Sequence, residues 1–306
     1  MKSIMAKKLS IGSWAYAFGP YQNNPVPFDT VVRTLGDYGF DGIEIGAFRP
    51  HVHPDDFPMQ ADREKIRNLI KAHGLEVSGL AADFWAYPGP GSEEAQKDDA
   101  YLKLFKKNLQ LCLDLGAPGI RVDTVNGPDK VPGGDAKAAW KRIVALWREC
   151  AGLAESFGIK MVWEFEPGFM FNKPSEVVQL VKDVKHPNFK ILFDTCHAYM
   201  CSVVGARQPG AKETLPGGVA EFARLLKGEI GHLHVIDSDG TLHNDETSTH
   251  RPFGEGKINF NEMLDAAIHD AEYTGPWLCI DLCFWPEAWD VTRNAQKFLK
   301  PYLAKY

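Results

Sequence analysis

KMVWEFE (160–166) and FKILFD (189–194) are short apolar runs whose carboxylates fall at alternate positions. Read with a period of two, Met161, Trp163 and Phe165 share one face of the first run, and Glu164 and Glu166 share the other. In the second, Ile191 and Phe193 lie together while Asp194 closes the run on the opposite side. Both runs therefore have an apolar face that needs cover and a second face that carries acids inward. The interval between them is long enough for a helix, and two parallel strands need such a crossover.

Working outward, the same unit recurs without a break. Further strand-like runs are LSIGSWAY (9–16), GIEIGA (42–47), EVSGLAA (76–82), GIRVDTV (119–125), HLHVID (232–237) and WLCIDLC (277–283). Helix candidates follow, among them FDTVVRTLGDYG, DREKIRNLIKAHG, YLKLFKKNLQLCLDLG, AWKRIVALWRECAGLAESFG and FNEMLDAAIHDAE, several closed by Gly where a helix ends. Eight such units fill the chain with no linker rich in Gly, Ser or Pro. A (β/α)8 barrel takes about 250 residues as one domain, so the expectation is α/β, a single TIM barrel spanning residues 1–306. A doubly wound open sheet is the alternative, but no GxGxxG or GxxxxGK loop supports it.

Composition narrows the function classes. The chain is 44% hydrophobic and 24% charged with a net charge of -6, and its Lys and Arg are scattered, which argues against a nucleic-acid partner. No run approaches the ~20 apolar residues of a membrane span, and MKSIMAKKLS has no apolar signal segment behind it. A cytoplasmic protein without a membrane partner is expected. Cysteines 112, 150, 196, 201, 279 and 283 form no CxxC pair and read as reduced, buried thiols.

The chemistry of a barrel sits at the C-terminal mouth of its strands. In HLHVID, Leu233 and Val235 face out and both histidines face in; in WLCIDLC, Leu278, Ile280 and Leu282 face out and Asp281 faces in. Glu164, Asp194, His234 and Asp281 thus come from four strands toward one mouth. Any one of them alone reads as a barrel-layer polar group; together they would repel one another unless a cation compensates them. Oxygen donors with one imidazole and no thiolate suit Mn, Mg, Co or Fe better than a closed zinc site. His232 lies deeper and reads as a hydrogen-bonded core histidine.

The motifs WEFEPG (163–168), FDTCHA (193–198), HLHVID and GEGKINF (254–260) resemble those of the sugar isomerase and epimerase superfamily with the xylose-isomerase-like barrel. The resemblance covers nearly the whole chain. It implies a small-molecule sugar substrate, a divalent metal, manganese first, held by Glu164, Asp194, His234 and the strand-eight acid, and a substrate-binding role for His197. Such a centre suits proton abstraction next to a metal-bound carbonyl, with Glu164 and Asp281 in the catalytic set. Glu166, on the lumen face of Glu164 and one layer nearer the mouth, reads as the acid or base of that set or as a carboxylate that hydrogen-bonds a sugar hydroxyl. One position departs: the strand-eight acid is usually Glu and here is Asp281, one methylene shorter, which shortens the reach of a base.

Around this centre the mouth loops and the inward face of GIRVDTV carry further candidates. His53, in an HVH pair with His51, reads as a substrate ligand or a solvated loop histidine; Asp123 reads as a hydroxyl ligand or a partner of Arg121. Trp14, Trp85 and Trp285 head a set of aromatics suited to stacking on sugars or aryl groups, or to capping the barrel. That apolar wall, with Asp281 and IDLCFWPEAWD (280–290), also resembles the lyases of 3-oxo-glycosides, such as the large subunit of the C-glycoside deglycosidases, which work on a glycoside with a smaller partner subunit. A non-catalytic sugar-binding barrel is the third reading, and a homo-oligomer remains open beside the smaller subunit. An endonuclease of the superfamily would need a basic groove, which the acidic balance denies.

Overall fold

The computed structural model describes residues 6–306; Met1–Met5, part of the charged stretch read against a signal segment, lie outside the described residues. Eight parallel strands form the barrel: β1 Lys8–Ile11, β2 Gly42–Ala47, β3 Glu76–Ala82, β4 Gly119–Val122, β5 Lys160–Glu164, β6 Phe189–Asp194, β7 Ile230–Val235 and β8 Trp277–Ile280. Around the ring the order is β1, β8, β7, β6, β5, β4, β3, β2, and a bridge between Gly12 and Glu44 joins the last strand to the first. Closure leaves no strand edge exposed.

The helix layer comprises α1 Phe28–Asp37, α2 Gln60–Ala72, α3 Ala100–Leu115, α4 Ala136–Ser156, α5 Pro174–Val184, α6 Thr195–Tyr199, α7 Gly218–Leu225, α8 Phe260–Asp265 and α9 Ala288–Lys305. Helices α6 and α8 each run on into a π-helical turn, Met200–Val204 and Ala266–Asp270. The alternation read from the sequence sets the packing. Trp147 of α4 lies 5.5 Å from Trp163 and 5.5 Å from Phe189 between ring centroids, and Phe222 of α7 sits 5.0 Å from Phe165 and 5.8 Å from Phe193. Outward residues of β5 and β6 are thus the floor on which the helices rest.

The ladders are shorter than the apolar runs. LSIGSWAY leaves the sheet after Ile11 and winds into the 3-10 turn Ser13–Tyr16, GIRVDTV stops at Val122, and WLCIDLC stops at Ile280. Just past the ends of β4 and β8 the chain turns, with Val125 and Phe284 at positive φ. A larger departure follows β7. Instead of passing directly to a helix, the chain makes an antiparallel hairpin, Asp237–His243 with Thr247–Arg251, turned by Asn244 and Asp245 at positive φ.

The final acid of HLHVID explains the loop that follows the hairpin. Asp237 accepts hydrogen bonds from the backbone N–H groups of Gly254, Gly256 and Ile258 at 3.0, 3.0 and 3.1 Å. A Cβ on Gly256 would stand 2.2 Å from Asp237 Oδ1, so GEGKINF has glycine where backbone meets carboxylate. Among the described residues no helix is long and apolar enough to cross a membrane. All six cysteines are free thiols, and only Cys283 is less than fully buried.

Replacing Phe222 by alanine removes the ring wedged between β5, β6 and α7 and should lower unfolding stability by about 3–5 kcal/mol. Chemical denaturation should show a shifted midpoint with an unchanged slope.

Candidate active site

Strand register sets one inward acid directly beside the imidazole. Asp194 pairs with His234 across β6 and β7, and His234 pairs with Cys279 across β7 and β8, two residues before Asp281. Paired residues of parallel strands point the same way, so these side chains enter the lumen together. All are buried: Glu164 3%, Asp194 0%, His234 0% and Asp281 3% exposed.

Each is held by a neighbour that leaves one atom free. Arg121 Nη1 donates to Glu164 Oε2 at 2.8 Å, and Trp14 Nε1 donates to Asp281 Oδ1 at 2.7 Å. The backbone N–H of His197, in the first turn of α6, donates to Asp194 Oδ1 at 2.7 Å. Glu164 Oε1, Asp194 Oδ2 and His234 Nδ1 are buried without a hydrogen-bond partner. His234 Nδ1 lies 3.0 Å from Glu164 Oε1 and 3.5 Å from Asp281 Oδ2 without forming a hydrogen bond with the former. Atoms so close and so unpaired face a common point.

That is the donor set a divalent ion would use. Ligand atoms of Glu164, His234 and Asp281 lie within 4.8 Å of one another; Asp194 falls in an adjoining group with His197 and His250. Three of the four expected ligands therefore form one cluster, and the fourth borders it.

The electrostatics express the same crowding. Burial raises the carboxyl of Asp194, and the charges of Asp281 and Glu164 raise it further, well above the usual range. Burial also works against ionised Glu164 and Asp281, yet Arg121 and His234 beside the first, and His250 and His234 beside the second, hold both below it. Burial lifts Glu166 to about 8, with the charge of Glu164 adding to it. Burial and the nearby His250 depress His197 to about 3, so its ring is neutral.

Above this floor opens a cavity of about 890 Å³. Glu166 and His197 line it together, 3.4 Å apart, and Thr247 Oγ1 donates to Glu166. His197 Nδ1 pairs with Ser248 Oγ at 2.8 Å. Trp85 lines the wall at 46% exposure, anchored by its indole N–H to Asp123 at 2.9 Å; Trp14, Phe18, Phe48, Phe169 and Phe284 complete the apolar side.

Other expectations need correction. His53 does not reach the cavity, and it is not solvated: it is 4% exposed, with Nδ1 accepting from the Asp55 backbone N–H at 3.2 Å. His51 is likewise buried and donates to the Val26 carbonyl at 3.0 Å. Asp123, 0% exposed, lies behind Trp85 and is 3.6 Å from Arg121, so it supports the wall instead of lining it. Trp285 also misses the cavity, because its indole N–H is spent on the His250 carbonyl. Tyr16, Phe84 and Phe171 join the core, where Tyr16 stacks on Trp289 at 3.9 Å and Phe84 on Tyr101 at 5.1 Å.

Two residues of the site were not singled out from the sequence. Glu44, inward between Ile43 and Ile45 on β2, follows the period-two rule and was there to be read. His250 sits on the unanticipated hairpin. Its Nδ1 donates to the Asp281 carbonyl at 2.8 Å, which leaves Nε2 as a buried, unpartnered acceptor at the cavity. His232 does prove to be a hydrogen-bonded histidine, 6% exposed, on Glu44 Oε2 at 2.8 Å.

Residues 32–302 match the family described as xylose isomerase-like TIM barrel. Fructoselysine 3-epimerase of Escherichia coli O157:H7 is 23% identical over 257 residues, covering 82% of this chain and 84% of that protein. D-psicose 3-epimerase of Ruminiclostridium cellulolyticum is 29% identical over 255 residues, covering 80% and 74%. Among solved structures, the IOLI protein with a binding zinc atom superposes with a TM-score of 0.73 at 18% identity, over 98% of this chain and 99% of that one, a likeness of fold.

Protein purified without chelator should carry about one divalent ion per chain by mass spectrometry of the metal. Glu164→Gln and His234→Ala should each lose it; unchanged content in both would place the site elsewhere.

Proposed function

Since the chain belongs to the xylose isomerase-like TIM barrel family, we propose that it is a divalent-metal-dependent isomerase or epimerase of keto-sugars. The observation that carries this is the convergence of Glu164 Oε1 and His234 Nδ1, buried and unpartnered, beside Asp281 at the floor of a cavity of about 890 Å³. The relatives named as 3-epimerases of fructoselysine and of D-psicose support the same class.

Glu164, His234 and Asp281, with Asp194 at the border, would hold the ion, manganese first and Mg, Co or Fe as alternatives. When bound, such an ion polarises a carbonyl and its neighbouring hydroxyl and acidifies the C–H between them. The chain's own groups do the rest. Arg121 fixes the Glu164 carboxylate, and Trp14 fixes that of Asp281, so neither acid rotates freely. Glu166, steadied by Thr247 and adjoining the neutral His197, is the group placed to take or return the proton at a carboxylate oxygen. His250 Nε2 offers a second acceptor on the hairpin side. The apolar wall excludes water from the reacting carbon and leaves room for a substituent on the sugar. A cytoplasmic setting belongs to the same proposal and is supported by the free thiols.

The relatives lend the 3-oxo-glycoside lyase reading no support. In D2O a substrate ketose should exchange its α-hydrogen for solvent deuterium, and in H2O it should give a product of equal mass. Glu166→Gln should keep the metal while turnover falls about 100-fold or more. A released aglycone would indicate the lyase, and turnover with no solvent exchange would remove Glu166 from the role of base.

The wall generates a separate expectation. Ketoses bearing an aryl or alkyl substituent should bind more tightly than the free sugars, and Trp85→Ala should erase the difference in a binding titration. Equal affinity in the parent protein would assign these aromatics to a cap alone.

A further inference from the structure

Glu44 belongs to β2, across the barrel lumen from β7, and is 1% exposed. Its Oε2 lies 2.8 Å from His232 Nε2 and 2.9 Å from His234 Nε2. A carboxylate only accepts hydrogen bonds, so both ring nitrogens facing it must carry protons. We infer that Glu44 is the positioning residue of the metal centre: it fixes the proton of His234 on Nε2 and thereby presents the Nδ1 lone pair to Glu164 and Asp281. This inference rests on the metal reading given above.

Three further observations bear on it. His234 Nδ1 is the buried, unpartnered nitrogen, and it is the one 3.0 Å from Glu164 Oε1 and 3.5 Å from Asp281 Oδ2. Without a fixed acceptor at Nε2 the two neutral tautomers differ little, and one of them turns an N–H into the ligand cluster. Room for the carboxylate is made by Gly79, its register partner on β3, where a Cβ would stand 3.2 Å from the Glu44 carboxyl carbon. The strand pairing therefore accommodates an acid at this level, deep in the lumen.

Glu44, His232, His234 and Cys279 also have metal-type donors within 4.8 Å of one another, but they do not form a second ion site. The oxygen shared by both imidazoles is already engaged, as are both Nε2 atoms. The cluster is closed on itself and serves the atom on the far side of the His234 ring.

The test is Co2+ affinity, measured by chelator competition and by the visible spectrum of the bound ion, in Glu44→Gln and His232→Gln. Glutamine keeps the size of Glu44, but its amide can donate to Nε2 and favour the wrong tautomer. Glu44→Gln should raise the Co2+ dissociation constant about 10–100-fold and change the spectrum. His232→Gln disturbs the same buried cluster while sparing the Glu44–His234 contact; it should lower Tm and leave the dissociation constant close to the parent value. Glu44→Asp should recover part of the affinity lost in Glu44→Gln. Parental Co2+ affinity in a folded Glu44→Gln, or equal weakening in both glutamine variants, would overturn the inference while leaving the metal site standing. A parent protein that takes up no divalent ion would overturn both.

Discussion

Negative charge confined in a low-dielectric lumen is the constraint around which the barrel is arranged. Glu44, Glu164, Asp194 and Asp281 are all buried, and Arg121 is the guanidinium buried with them. Bringing ionised carboxylates out of water costs several kcal/mol each unless charge and hydrogen bonds answer them. The structure answers each acid with donors: Arg121 for Glu164, the His197 N–H for Asp194, Trp14 for Asp281 and the two imidazoles for Glu44. What those donors leave over, one lone pair on each of several ligands, is the site.

Much of this was legible from residue periodicity. Outward Trp163, Phe165, Ile191 and Phe193, and inward Glu164, Asp194, His234 and Asp281, follow from alternation within β-runs, because a closed parallel barrel has only a lumen and a helix layer to choose between. The same rule places Glu44 inward, between Ile43 and Ile45 on β2. Loops were different. His53 and Trp285 lie near strand ends, yet loop side chains are aimed by local turns that alternation does not predict; Asp123 follows the inward alternation of its run and is covered there by Trp85. The hairpin was hidden for a related reason: its polar residues between two barrel strands carry no apolar alternation, so its strand character comes from pairing with itself.

The substitution at strand eight takes on a physical meaning in this setting. Asp281 is shorter than a glutamate, and its carboxylate is engaged by Trp14 Nε1 while its backbone carbonyl receives the His250 ring. A residue so tied at both ends is better suited to holding an ion than to following a proton. The carboxyl with freedom toward the cavity is Glu166, beyond the end of its strand, and the imidazoles of His197 and His250 approach the same space with ring centroids 4.9 Å apart.

The hairpin between β7 and α8 contributes Thr247, Ser248 and His250 to the pocket from one of its two strands. These groups form a cassette: a self-paired excursion that departs from and returns to the barrel without sharing its ladder. Lengthening such an excursion costs little, about 0.6 kcal/mol for each doubling of loop length. The molecule thereby separates two inheritances. The floor that handles charge is written into eight mutually dependent strands, whereas one wall of the chamber above it is drafted as a unit and fastened to that foundation where the His250 ring meets the Asp281 carbonyl.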